Sequence, residues 1–191
     1  MTVGTLNLFG IPVHKITLPD WDKLKPQLLE MIDLDGDEYK NETCTTDFFH
    51  VGAFDGKGRT NGHPYLEKFW ELVGPSIEEC WEMMSLPPHK DPSSIQLWSQ
   101  RYYRGDYHDL HNHGFGNMSG VLNLEHDPAL HSSTRLQCPH LDPLFGRLTM
   151  MELPDVNEGD IILFPAALGH ESTANLHDEP RTIMSFNIPI Q

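Results

Sequence analysis

The order of predicted elements along the chain indicates an α+β fold in which helices come first and a β-sandwich or barrel follows. Before Pro87, apolar residues recur at helical spacing, whereas the later segments are short, bounded by Gly, Pro or Asp, and rich in strand-favouring residues. No internal repeat or low-complexity linker separates the two parts. We therefore expect one domain over residues 1–191, helix-rich over 1–90 and strand-rich over 91–191.

Two helical regions are predicted in the first part. A helix over residues 20–34 is indicated by apolar residues on one face and by Asp20 as a suitable N-cap, although Pro26 argues for a break or a late start. A second helical region starts at Pro64 and continues beyond an interruption at Gly74 and the proline that follows it. We expect the apolar faces of both helices to pack on the sheet.

Strands are predicted at both ends of the chain. Residues 5–18 indicate one or two short strands, and residues 35–61 indicate loops around a single strand. The remaining predicted strands cover residues 94–103, 118–125, 147–153, 160–165 and 181–189.

The charge balance limits the possible partners. The chain has 28 acidic and 13 basic residues, which gives a formal net charge of −15. Such a charge repels nucleic-acid backbones and anionic membrane surfaces, so we expect neither as a partner. It mildly favours a cationic or neutral substrate. The oligomeric state cannot be predicted from these residues.

The three cysteines, Cys44, Cys80 and Cys138, are widely spaced, odd in number and without a CxxC pattern. Neither a disulfide framework nor a thiolate zinc site is indicated. The chain also lacks a signal-like start and any window of about 18 uninterrupted apolar residues. We therefore expect a cytoplasmic protein with reduced thiols and no membrane span.

Histidines at three positions form a candidate metal site. If residues 110–113 are extended, His111 and His113 point to the same side of a sheet. His170 follows an apolar strand 57 residues after His113, and Arg181 begins the next strand. Three imidazoles and a trailing cation are the groups expected of a mononuclear iron oxygenase. The other nine histidines are interpreted as surface residues.

Several of these positions together resemble the Fe(II)/2-oxoglutarate-dependent oxygenase superfamily, and in particular a branch found in bacteria and phages. An LFxxPV-like opening strand of that branch corresponds to residues 8–13, whereas residues 20–90 carry no motif. The resemblance implies a double-stranded β-helix, a cupin-like jelly roll, with the N-terminal helices packed on the sheet. It rests on Tyr102, Gly105, His111, His113, the strands SGVLNL from Ser119 and EGDIILFP from Glu158, His170 and Arg181.

The motif order is also similar to that of prolyl 4-hydroxylases, where a tyrosine nine residues before the first metal-binding histidine contacts the cosubstrate. Tyr102 lies nine residues before His111. A basic residue about ten positions after the distal histidine binds the far carboxylate in these families, and Arg181 lies 11 after His170. Its guanidinium suits a carboxylate because it donates two parallel hydrogen bonds. Ser185, four residues further along the same strand face, could add a hydroxyl contact.

One position departs from the superfamily. The usual His-x-Asp or His-x-Glu pair is replaced by His111 and His113. Either three neutral histidines hold the metal, or His113 does not coordinate and water takes that place. The HxH form is common in the branch that this chain resembles, which favours three histidines.

The resemblance implies an enzyme that uses Fe(II), 2-oxoglutarate and O2 to hydroxylate an unactivated C–H bond, releasing succinate and carbon dioxide. The substrate would be a peptide residue, with proline as one candidate, or a small metabolite. Residues 114–116 and 55–62 are candidate lids over the site. Two alternatives remain: a three-histidine dioxygenase that does not use 2-oxoglutarate, and a non-catalytic jelly-roll binding module.

Overall fold

The computed structural model describes residues 2–8, 10–50, 65–87, 92–141 and 145–190. Its two α-helices are α1 (Trp21–Glu30) and α2 (Leu66–Met83), and short 3-10 turns cover Asp37–Tyr39 and Pro92–Ser94. The strands are β1 (Thr2–Leu8), β2 (Ile11–Thr17), β3 (Thr45–Thr46), β4 (Gln96–Tyr102), β5 (His108–His111), β6 (Asn117–Glu125), β7 (Arg135–Gln137), β8 (Met150–Glu152), β9 (Asp160–Pro165), β10 (His170–Ser172) and β11 (Arg181–Pro189).

The strands form two antiparallel sheets. The larger sheet has the order β1-β2-β9-β6-β11-β4-β3, and the smaller has the order β5-β10-β7-β8. One cluster of buried apolar residues lies between the sheets and joins Leu136 of the smaller sheet to Val121, Ile162 and Ile183 of the larger. The predicted α+β jelly roll is therefore confirmed.

A second apolar cluster lies on the opposite face of the larger sheet, where the helices pack. It joins Leu28 of α1 and Phe69 of α2 to alternate residues of the central strands, including Leu122 and Phe186. The rings of Phe69 and Phe186 are 5.5 Å apart. Both clusters share the larger sheet, and one domain over residues 1–191 stays a prediction.

The period of two along a strand explains this division into layers. In β11, Met184 and Phe186 face the helices, whereas Ile183 faces the smaller sheet. Arg181 and Ser185 share the parity of Ile183, so they also point between the sheets. The same rule turns the even-numbered residues of β4 toward the space between the sheets.

The helices differ from the prediction at their ends and at their prolines. Helix α1 begins after Asp20, as predicted, but ends at Glu30, and Pro26 lies inside it. Helix α2 runs without a break through Gly74 and Pro75. An interior proline costs about 3 kcal/mol. Burial of the apolar face of this 18-residue helix against the sheet outweighs that cost.

Predicted and observed strands agree best in the larger sheet. The strand at 160–165 matches β9, and that at 181–189 matches β11. The strand predicted within residues 35–61 is confined to Thr45–Thr46 in the described part, and residues 51–64 lie outside it. Strands β7 and β10 were not predicted, because three residues are too few to show a period.

Neither helix in the described part of the chain has the length and hydropathy that a bilayer crossing requires.

Gly120 in β6 tests the packing between this strand and β11. A Cβ at residue 120 would lie 2.1 Å from the Phe186 ring. We expect Gly120→Ala to lower the free energy of unfolding by about 1–3 kcal/mol, because the ring must leave its preferred position in a closely packed core. Chemical denaturation measures the change.

Gly4 in β1 provides the matched control. A Cβ at this exposed position would approach only the Lys15 carbonyl oxygen, at 4.0 Å. Gly4→Ala should leave the free energy of unfolding within about 0.5 kcal/mol of the parent value. Equal effects of the two substitutions would contradict the packing described here.

Candidate metal centre

The three histidines reach one point from three backbone positions. His111 is the last residue of β5 and is paired in register with His170, the first residue of β10. His113 lies beyond the end of β5, where its backbone N–H donates to the Ala166 carbonyl at 2.9 Å. The prediction that residues 110–113 form one extended strand is therefore wrong at its end. The hydrogen bond to Ala166 holds the His113 backbone beyond the strand, and its ring centroid lies 5.1 Å from that of His170.

The three imidazoles could hold one metal ion. One nitrogen from each ring lies within 4.8 Å of the others. The centroid of the His111 ring is 4.2 Å from that of His170 and 5.0 Å from that of His113. Within the described residues, no carboxylate joins this cluster.

Burial keeps these rings neutral. Burial, together with the neighbouring imidazoles, lowers the pKa of His113 to about 4 and that of His170 to about 3. Burial lowers the pKa of His111 as well. Neutral imidazole is the form that binds a metal.

Hydrogen bonds select the ring nitrogen that remains available in two of the histidines. Nδ1 of His111 lies 2.7 Å from the Asp109 carbonyl oxygen, and Nδ1 of His170 lies 3.0 Å from the Leu168 carbonyl oxygen. A carbonyl only accepts, so each Nδ1 carries the proton and each Nε2 keeps its lone pair. This donor set fits a divalent transition metal such as Fe(II).

Arg181 is buried between the sheets. It pairs in register with Tyr102 on β4, and its guanidinium carbon lies 5.5 Å from the centroid of the tyrosine ring. Only 3% of Arg181 is exposed, and burial lowers the pKa of its guanidinium. One terminal nitrogen donates to Ser172 Oγ at 3.1 Å.

Other donors around Arg181 are unsatisfied. Its Nε and second terminal nitrogen are buried without a hydrogen-bond partner, as is the hydroxyl of Tyr102. Burial raises the pKa of that hydroxyl, so it keeps its proton. Buried donors without partners cost about 1–3 kcal/mol each, and more when charged. A carboxylate at this point would satisfy them, so the residues present fit 2-oxoglutarate.

The imidazoles line a narrow cavity of about 20 Å³ between the two sheets. Tyr102, Ser172 and Ser185 also line this inner cavity. Arg181 donates to Ser172 but lines a separate neighbouring cavity, which shares Tyr102 with the inner one. The hydroxyl of Ser185 donates to Gln100 Oε1 at 3.0 Å. Ser185 therefore faces the predicted site, but its proton is already shared with a side chain.

His108 and Gln100 also line the site and were not predicted. The ring of His108 stacks on that of His111, with centroids 4.1 Å apart, and its Nδ1 accepts from Gln100 Nε2 at 3.0 Å. Burial lowers the pKa of His108 to about 4. The spacing HxxHxH was the available signal for His108, whereas nothing in the sequence indicated Gln100.

The interpretation of the remaining histidines as surface residues is wrong for several of them. His14, His126 and His131 are each less than 10% exposed. Their rings fill polar positions in the interior. The chain has twelve histidines, and the sequence alone does not distinguish these buried ones from the solvent-exposed ones.

The two predicted lids remain predictions. Gly114 and Gly116 have positive φ, and the Phe115 side chain between them is 93% exposed. This ring lies in solvent rather than over the histidines. The other segment, 55–62, lies outside the described residues.

Comparisons with known proteins agree with this geometry. A family model described as "Putative 2OG-Fe(II) oxygenase" matches residues 96–187, which include all six predicted site residues. A comparison with curated proteins finds no significant match.

Solved structures of this class share the fold. The non-heme alpha-ketoglutarate-dependent epimerase SnoN from nogalamycin biosynthesis is similar with a TM-score of 0.60 and 15% identity, over 93% of this chain and 78% of that one. The viral collagen prolyl hydroxylase of Paramecium bursaria Chlorella virus-1 is similar with a TM-score of 0.58 and 13% identity, over 94% of this chain and 96% of that one. A Pseudomonas putida prolyl-4-hydroxylase has a TM-score of 0.47 and 14% identity, over 65% of this chain and 66% of that one.

The family match over the strand-rich part, together with this fold, accounts for the histidine cluster and the buried guanidinium. Residues 96–187 match the family described as "Putative 2OG-Fe(II) oxygenase", and the solved structures of the epimerase and the viral prolyl hydroxylase share the fold.

Proposed function

We propose that the chain hydroxylates an unactivated C–H bond of a peptide residue or a small metabolite, with His111, His113 and His170 as the metal ligands. The observation that carries the proposal is the convergence of three neutral imidazoles beside a buried guanidinium that has unpaired donors. Overall, C–H, O2 and 2-oxoglutarate become C–OH, succinate and carbon dioxide. Bound Fe(II) would supply the activation of O2 that couples these two halves.

The residues around the metal position the cosubstrate. Arg181 and Tyr102 would bind the far carboxylate of 2-oxoglutarate through the donors that are otherwise unsatisfied. This contact would hold the diacid beside the metal site and direct its keto acid end toward the histidines. The apolar layer between the sheets limits access of water to the reacting atoms.

The unpaired guanidinium favours this function over the alternatives. A three-histidine dioxygenase that does not use 2-oxoglutarate has no need of a buried cation near the metal. A non-catalytic jelly roll has no need of the cation or of three convergent neutral imidazoles. The fold relatives include an epimerase and a prolyl hydroxylase. Mass spectrometry of the product should therefore accompany any assay of succinate, and gain of one oxygen atom would identify hydroxylation.

Removal of each proposed ligand tests the metal centre. We expect His111→Ala, His113→Ala and His170→Ala each to weaken Fe(II) binding by about tenfold or more, because each removes one of three ligands. The weak visible band of the Fe(II)–2-oxoglutarate complex, recorded anaerobically, should disappear.

His140→Ala is the control for these variants, because His140 is exposed and does not line the cavity. It should retain both the band and the affinity for Fe(II). If His113→Ala alone also retained them, water rather than His113 would occupy the third position. Retention in all three variants would overturn the proposed metal centre.

Replacement of Arg181 separates binding from stability. We expect Arg181→Met to weaken 2-oxoglutarate binding by about 30-fold or more, because loss of a buried charge partner costs about 2–5 kcal/mol. The free energy of unfolding of the metal-free protein should stay the same or rise by about 1–2 kcal/mol, because a buried cation without a counterion is removed. Calorimetry and chemical denaturation measure the two effects.

Arg104→Met is the matched control. Arg104 is exposed and pairs with Asp178 at 3.1 Å. Arg104→Met should change neither the affinity for 2-oxoglutarate nor the free energy of unfolding appreciably, because exposed ion pairs contribute about 0–1 kcal/mol. Unaltered 2-oxoglutarate affinity in Arg181→Met would favour the dioxygenase that does not use this cosubstrate.

Cytoplasmic location, the absence of a nucleic-acid partner and the nature of the substrate stay predictions. The buried, unpaired state of Cys44, Cys80 and Cys138 supports a reducing compartment.

A further inference from the structure

A second cavity meets the histidine cluster from the other side. This outer cavity measures about 250 Å³. It shares Trp98, Gln100, His108, His111 and His113 with the inner cavity. The rest of its lining comes from residues 41–49, namely Asn41, Thr43, Cys44, Thr46, Phe48 and Phe49.

The two cavities have different chemistry. Ser172, in the lining of the inner cavity, accepts a hydrogen bond from the guanidinium of Arg181, so the inner cavity is on the side of the group that suits a diacid. The outer cavity does not include Arg181 or Ser172 in its lining. On the proposed function, the second organic reactant therefore approaches the metal from the outer cavity.

No described side chain that lines the outer cavity carries a formal charge at neutral pH. Asp47 is adjacent in sequence to two lining residues, but its carboxylate is buried and turned away. It accepts from the Ser99 N–H at 2.8 Å, from Ser99 Oγ at 2.7 Å and from the hydroxyl of Tyr65. Its charge is therefore satisfied inside the fold.

The polar groups of this wall are also largely occupied. The side-chain oxygen of Asn41 accepts from the backbone N–H groups of Thr43 and Cys44 at 2.8 and 2.9 Å. The hydroxyl of Thr46 donates to the Ser99 carbonyl oxygen at 2.7 Å. Gln100 Oε1 accepts from Trp98 Nε1 at 3.2 Å. These bonds hold the wall together and leave few polar atoms for a ligand.

Aromatic surfaces provide much of the remaining contact area. The ring of Phe48 meets that of Trp98 edge-on, with centroids 5.3 Å apart, and meets that of Phe49 at 5.2 Å. The Phe49 side chain is 70% exposed, so its ring remains accessible. Such a wall suits an apolar group and offers an ionised one no partner.

We propose that the outer cavity binds the substrate through an uncharged, mainly apolar group, and that free amino acids are excluded. This inference rests on the proposed function and narrows its substrate class. A free amino acid would bring an ammonium and a carboxylate into a cavity without counterions, where desolvation is not compensated. The same side chain inside a polypeptide has neither charge.

Matched pairs of compounds test the inference. Each apolar amino acid, with proline in the panel, is offered to the Fe(II)–2-oxoglutarate protein as the free acid and as its N-acetyl carboxamide. Succinate release is measured, and binding to the metal-free protein is followed by calorimetry. We expect the preferred capped compound to exceed its free partner by about tenfold or more in both assays.

The visible band of the Fe(II)–2-oxoglutarate complex is recorded first. If it does not form, the proposed function fails. If it forms and free amino acids match or exceed their capped partners, only the inference on the outer cavity is overturned. A panel in which neither form binds overturns it too. Neutral small molecules are tested in a second series. If they are preferred over every capped amino acid, the uncharged group belongs to a small molecule rather than to a peptide.

A pair of phenylalanine variants locates the binding site. Phe49 and Phe145 are both 70% exposed, and only Phe49 lines the outer cavity. We expect Phe49→Ala to raise KM for the capped compound about threefold or more, because an aromatic contact surface is lost. Phe145→Ala should leave that KM unchanged. Equal KM values for the two variants would contradict binding in the outer cavity.

Discussion

The alternation of side chains along the central strands of the larger sheet determines where the chemistry of this protein lies. Successive residues face opposite sides, so β4, β6, β9 and β11 each supply one row to the helices and one row to the space between the sheets. The first row is mainly apolar and forms the core under α1 and α2. The second row mixes apolar residues with Gln100, Tyr102, Arg181 and Ser185. A shift of one residue in any of these strands would exchange the two rows.

Arg181 shows that stability is not maximised in this layer. A buried cation with unpaired donors lowers the stability of the unliganded protein, and the nearby Tyr102 ring offsets only part of the cost. A ligand that accepts hydrogen bonds from the unpaired donors would explain why this costly residue is present. Binding of a diacid would then contribute stability in addition to the affinity of the site. In the proposed reaction, the same buried guanidinium would bind the cosubstrate beside the histidines.

Three imidazoles without a carboxylate make the proposed centre more positive by one unit than a 2-His-1-carboxylate site. Imidazole sites also bind zinc or nickel readily, so the metal found after purification would be weak evidence for the native one. Burial and mutual proximity of His113 and His170 keep the rings neutral and available. The orientation of the His111 and His170 rings depends on the backbone carbonyls of Asp109 and Leu168 rather than on a carboxylate partner. Peptide geometry therefore fixes the direction of the ligand atoms.

The sequence by itself determined the fold class, the long strands of the larger sheet and the six candidate site residues, because these depend on local period and on motif spacing. It did not show strands β7 and β10 of the smaller sheet, the continuous helix through Pro75, or the buried state of His14, since each of these depends on partners distant in the chain. Only the tertiary structure decided that His113 joins the cluster from beyond the end of β5, that Gln100 holds His108, and that two cavities of different polarity meet at the histidines. Hydrogen bonds and packing between segments far apart in sequence produce these features, and local sequence patterns do not predict such contacts.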